Sequence, residues 1–188
     1  AFALPGGYVY VTRGLLALAN NEAEIAGVIG HEIGHVTARH SAQRYSQAML
    51  ANIGLMGVAI ATGSGALANI AGAGAQVYLQ SYSRDQEFEA DLLGVRYLSR
   101  ATYDPRAMSS FLNNLLADSR LDAALAGRPG AADEYNIMAT HPRTADRVRR
   151  AIEAAGERAV ADPMVERDIY LDKIDGMLYG DDPKEGII

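Results

Sequence analysis

Residues 31–35 read His31-Glu32-Ile33-Gly34-His35, and this short run restricts what the chain can become more than any other part of it. Residues four apart share one face of a helix. Two imidazoles at that spacing can therefore meet one zinc ion at roughly 2.0 to 2.1 Å, while Glu32 sits one step round the helix, placed to act as general base on a water beside the metal. A fold that uses the run must make it helical and must bring a third ligand from elsewhere, because a hydrolytic zinc site has three protein ligands and an open position. The plainer alternative is that two histidines on one helix face are ordinary buried or surface residues.

The neighbouring sequence supplies the helix. Asn20 and Asn21 offer N-caps, Glu22 and Glu24 fall in the first turn, and an apolar stripe through Ile25, Val28, Ile29 and Val36 predicts a helix running to about Tyr45. Upstream, the β-branched and aromatic residues 8–12 follow the turn signal Pro5-Gly6-Gly7, which predicts a hairpin with Phe2 to Leu4 as its other arm. Downstream, Ser83 and Gln86 form a capping-box pattern for a helix to about Ser99, and Asp104-Pro105 starts another through about Asp118. Leu121 to Asp133 reads as a mobile loop, a helix is expected from Pro142 to near Gly156, and a short strand near Asp168 to Leu171. The expected fold class is α+β, predominantly helical, in a single domain over 1–188.

The third ligand must come from His, Asp or Glu, since the chain has no cysteine and so neither thiolate zinc sites nor a cysteine nucleophile. His40 is close in sequence, but a helical third-histidine pattern would need Gly at 38 and His at 41, where Ala38 and Ser41 stand. Five residues beyond His35 it would also lie about 140° away round a continuous helix. His40 is therefore expected at the surface. Glu87 and Asp91, four apart on the capped helix, share one face: Glu87 can complete the ligand set, and Asp91 can accept a hydrogen bond from the non-ligating nitrogen of a zinc histidine. Glu89 points elsewhere and is expected to be solvated. An acidic pair at this spacing is common on exposed helices, and its weight comes from the histidine motif.

With 188 residues and 49% hydrophobic content the chain is large enough for one well-covered core. Seventeen basic against 23 acidic residues, net charge -6, give no clustered basic face, so nucleic acid is not an expected partner. From Tyr45 to Ser83 there is no formal charge at all. Asn52, Asn69 and Gln76 interrupt the tract and Gly63-Ser64-Gly65 divides it, which favours two small-residue helices packed closely in a soluble fold over a membrane span. A peripheral membrane contact through residues 45–83 stays open as the alternative. The opening AFALPGG lacks a methionine and a leader, and the last residues lack a stop signal, so both ends read as cut points in a longer precursor.

Four stretches together carry a family resemblance: FALPGGYVYVTRGLL, GHEIGHVTARH, SRDQEFEADLLG and THPRTADR. The chain resembles the M48 family of zinc metallopeptidases, the group that includes CAAX prenyl proteases and bacterial periplasmic quality-control peptidases. The resemblance implies a zincin-like, mostly helical domain with a small β-sheet beside the HExxH helix, one zinc ion per chain, and a polypeptide substrate received at the sheet edge. It supports His31, His35 and Glu87 as metal ligands, Asp91 as their hydrogen-bonding support and Glu32 as base. It also implies that His141 and Arg147 face the zinc and stabilise the oxyanion, and it makes a bacterial periplasmic or envelope location the expectation. From the residues alone, a His-Pro before a helix can be a simple cap and an arginine within it an ordinary ion-pair partner. Two rival readings are a zinc-bound chaperone-like or latent module whose site is closed by His141, and a membrane-embedded protease.

Overall fold

The structure is a computed structural model that describes residues 1–4, 6–63, 82–128, 141 and 145–178. Strands β1 (Phe2–Leu4) and β2 (Tyr8–Tyr10) pair antiparallel with Phe2 opposite Tyr10 and Leu4 opposite Tyr8. Gly6 and Gly7 turn between them at φ 99° and 88°, values that glycine adopts without a Cβ penalty. Ala3 and Val9 face inward while the rings of Phe2 and Tyr10 stack outside, 5.0 Å apart. The expected strand 8–12 stops at Tyr10, and Thr12 instead caps a short helix α1 (Arg13–Leu18), its side chain accepting from the Leu15 amide. The sheet lies beside helix α2 (Glu22–Thr37), which carries the histidine motif.

Helix α2 begins as expected, with the Asn21 side chain accepting from the Glu24 amide at 2.9 Å. It does not run on to Tyr45. The chain breaks at Ala38 and Arg39, the latter in the left-handed region at φ 59°, and restarts as α3 (His40–Thr62). A left-handed non-glycine residue costs roughly 1–2 kcal/mol, so local propensity alone favours the continuous helix and tertiary contacts enforce the break.

Helix α4 (Arg84–Arg100) has both halves of the capping box: the Gln86 amide donates to Ser83 Oγ, and the Ser83 amide to Gln86 Oε1. It crosses α2 at backbone contact. A Cβ at Gly30 would sit 3.2 Å from Gly94 Cα, and one at Gly34 would sit 3.0 Å from the Ala90 carbonyl oxygen. Glycines at the crossing thus let α4 come near enough for its acidic side chains to reach the imidazoles of α2. Helices α5 (Ala107–Leu125) and α6 (Ala145–Gly156) pack behind them. Their shared core includes Val95, Leu98, Met108, Leu112, Val148 and Ala151.

Three further expectations are corrected. Helix α5 passes the expected end at Asp118 and takes in Leu121 to Leu125, stopping where Gly127 turns left-handed at φ 72°, so the expected loop begins later; residues 129–133 lie outside the described residues. Residues 168–171 are not a strand but part of helix α7 (Arg167–Ile174), where a helix satisfies its own backbone groups and Tyr170 anchors it by donating to the Leu16 carbonyl at 2.6 Å. The described half of the charge-free tract, α3, is not closely packed: Leu50 is 70% and Ile60 78% exposed. Residues 64–81 of that tract lie outside the described residues. Among the described residues no helix is long and apolar enough to cross a membrane.

Candidate metal centre

The two histidines of α2 present Nε2 to a common point, 3.0 Å apart. Glu87 comes from α4 across the glycine crossing, with Oε1 3.3 Å from His35 Nε2 and Oε2 3.6 Å from His31 Nε2. His141 brings Nδ1 to 2.9 Å from Glu87 Oε1 and 3.2 Å from His31 Nε2. One donor atom from each of these four residues lies within 4.8 Å of the others, and the three residues from α2 and α4 are buried.

These separations suit a tetrahedral zinc ion. Bonds of 2.0–2.1 Å at tetrahedral angles put neighbouring donor atoms about 3.3 Å apart, which is the spacing that the cluster already has. Charge argues the same way. Among the described residues, Glu32, Glu87 and Asp91 are buried with Arg147 as the one arginine or lysine beside them, two formal negative charges in excess that a divalent cation offsets.

The electrostatics favour ligand forms. Burial pulls the His35 pKa down to about 3, against the opposing pull of Glu87, so its ring is neutral, the form in which an imidazole can offer a lone pair to a metal. Burial alone would raise the Glu87 carboxyl, but the charge of Arg147 and hydrogen bonds from His141 and His35 outweigh it and hold the group well below its ordinary value. Asp91 is likewise pushed up by burial and brought down further by Arg147 and His31. Both carboxylates are ionised at neutral pH.

A buried frame holds the ligands. His31 Nδ1 donates to Asp91 Oδ1 at 2.8 Å, which fixes the tautomer that leaves Nε2 unprotonated. Arg147, on α6, donates from Nε and Nη2 to the two oxygens of Asp91, both at 2.7 Å, and its Nη1 lies 2.7 Å from Glu87 Oε2. The guanidinium of Arg147 thus faces two carboxylates, with Nη2 also 3.5 Å from His31 Nδ1. Glu32 is buried, with Oε1 3.6 Å from His141 Nε2, a nitrogen that has no hydrogen-bond partner among the described residues.

The structure therefore brings together every residue singled out in the sequence: His31, Glu32, His35, Glu87, Asp91, His141 and Arg147. It corrects His40, expected at the surface. That side chain is fully buried with Nδ1 2.9 Å from His35 Nδ1. Its Nε2 lies 3.3 Å from Oε2 of Glu89, whose side chain is 60% exposed. Tyr82 was also missed; its ring stacks on His35 at 3.8 Å between centroids. Neither residue stands in a spacing that marks it, since the break at Arg39 places the first and long-range packing the second.

Comparison with known proteins agrees with this geometry. The sequence profile of Peptidase family M48 matches residues 1–155. The chain is similar to the beta-barrel assembly-enhancing protease of Escherichia coli (strain K12), 33% identical over 92% of this chain and 36% of the relative. The protein of that name from Yersinia pestis is 39% identical over 64% of this chain and 26% of the relative. The mitochondrial metalloendopeptidase OMA1 of Schizosaccharomyces pombe is 34% identical over 85% of this chain and 44% of the relative. The chain thus spans between a quarter and a half of the length of these curated relatives.

Proposed function

The chain belongs to peptidase family M48, and from that premise we propose that it is the catalytic domain of a zinc-dependent endopeptidase, acting on polypeptides in protein quality control. The observation that carries the reading is the convergence of His31 Nε2, His35 Nε2 and a Glu87 carboxylate at zinc-ligand spacing with a second acid, Glu32, buried beside them. A structural zinc site has no use for that acid. When bound, zinc supplies a Lewis acid and lowers the pKa of a water.

The remaining steps fall to the chain. Glu32 takes a proton from the attacking water and delivers it to the leaving amide nitrogen. His141, whose Nε2 has no hydrogen-bond partner among the described residues, donates to the developing oxyanion once its ring turns from Glu87. Arg147 contributes its charge and holds Glu87 and Asp91 in place. The exposed edge of the β1–β2 hairpin, next to α2, is where an extended substrate backbone would pair. The relatives are named for beta-barrel assembly and for the mitochondrion, and for a bacterial chain we propose the periplasm or the envelope. A peripheral membrane contact would use the exposed apolar residues of α3.

A second reading, a latent peptidase, is favoured by the position of His141. Its Nδ1 occupies the corner of the donor cluster that a hydrolytic site leaves to water. Both readings are tested by purifying the chain, measuring zinc stoichiometry and following cleavage of an unfolded polypeptide before and after chelation and zinc return. One zinc per chain with restored cleavage supports the active reading. One zinc without cleavage, and with three histidine ligands by X-ray absorption, supports the latent one.

A further inference from the structure

We infer that His40 is a positioning residue for the metal ligand His35, through a hydrogen-bond relay that ends at Glu89 on the surface. The inference rests on the zinc reading above. If Nε2 of His35 faces the metal, its proton resides on Nδ1 and needs an acceptor. The Nδ1 of His40 stands 2.9 Å away. Two imidazole nitrogens can share one hydrogen only if one is bare, so His40 carries its own proton on Nε2. That nitrogen in turn faces Glu89 Oε2 at 3.3 Å, a group that can only accept. The directions close without conflict: His35 Nδ1 donates to His40 Nδ1, and His40 Nε2 donates to Glu89.

The backbone is bent to make this contact. In a continuous helix His40 would lie on a different face from His35, and the left-handed turn at Arg39 brings it back. Tyr82 covers the open face of the His35 ring, and its hydroxyl is held 3.1 Å from Ser41 Oγ, next to His40. The two imidazole ligands are therefore supported differently. His31 leans on a buried carboxylate locked to Arg147, and His35 on a buried imidazole whose other nitrogen faces the exposed carboxylate of Glu89.

The test is Zn²⁺ affinity by competition with a chromophoric chelator, with far-UV circular dichroism to confirm folding. His40→Leu, which fills the space without an acceptor, should bind zinc about 10- to 100-fold more weakly than the unmodified chain. His40→Asn, whose Oδ1 can accept where Nδ1 did, should recover to within about threefold. Unchanged affinity in His40→Leu, or equal loss in both variants, overturns the inference. Where the His40 variants do not fold, Glu89→Ala decides: zinc release about two- to fivefold faster supports the relay, and an unchanged rate overturns it. An unmodified chain that binds no zinc would instead overturn the zinc reading itself.

Discussion

Arg147 and Asp91 form a two-point ion pair between α6 and α4, Nε to Oδ2 and Nη2 to Oδ1, each at 2.7 Å, with both side chains buried. The pair sits directly behind His31, one of the proposed metal ligands, because Asp91 Oδ1 also accepts from His31 Nδ1 at 2.8 Å. It joins a helix outside the histidine motif to the orientation of an imidazole within it. Lysine cannot reproduce the planar fork.

Arg147→Lys should therefore keep the charge and lose the geometry. The expected cost is about 2–3 kcal/mol from broken charge-assisted bonds. For a chain of this size that lowers the melting temperature by about 4–12 °C. Thermal unfolding with zinc bound measures it, and a melting temperature equal to that of the unmodified chain would count against the two-point pair.

Glu32→Gln separates chemistry from binding. Glu32 is not among the donor cluster of His31, His35, Glu87 and His141, so zinc content should stay near one per chain. Removal of a general base should lower cleavage about 10²- to 10⁴-fold. Equal cleavage in this variant would remove Glu32 from the mechanism.

Glu87→Ala should behave in the opposite way. It deletes a ligand and leaves Arg147 Nη1 and His141 Nδ1 facing the space that the carboxylate filled. Metal analysis after dialysis should find the variant largely free of zinc, with cleavage lost for that reason. Full zinc occupancy would show that another group completes the sphere.

Gly34→Ala and Gly54→Ala test why the helices cross as they do. At Gly34 a Cβ meets Ala90 Cα at 3.1 Å and the Ala90 carbonyl oxygen at 3.0 Å, both backbone atoms that cannot swing aside. Forcing α2 from α4 should cost about 1–3 kcal/mol and weaken zinc binding. Gly54, on α3, has nothing within 4 Å of its Cβ position among the described residues. There alanine should stabilise by about 0.5–1 kcal/mol through helix propensity. Denaturant midpoints read both, and equal signs would refute the packing account.

Which parts of the site were legible follows from the range of the forces that form it. His31, Glu32 and His35 are read from spacing because one turn of helix fixes their relative positions. Glu87 and Asp91 are read the same way within α4, and the capping residues Asn21 and Ser83 announce the helices that carry both sets. His40 was misplaced because its position was calculated along a continuous helix, and the helix breaks one residue earlier. The strand expected at 168–171 failed for a related reason: β-branched and aromatic residues say only that Ile169 and Tyr170 tolerate a strand, while the anchoring of Tyr170 to Leu16 decides the helix.

The sequence by itself determined a helical chain with a small hairpin, a five-residue metal motif and a second acidic helix, since all of these rest on contacts within a turn or two. Only the tertiary structure decided how close α2 and α4 come, that the Arg147 guanidinium pairs with Asp91 and Glu87, and that His141 meets His31 and Glu87 while His40 meets His35. Those outcomes depend on where distant segments are packed, and a left-handed residue or a glycine crossing stabilised by long-range burial leaves no periodic mark in the chain.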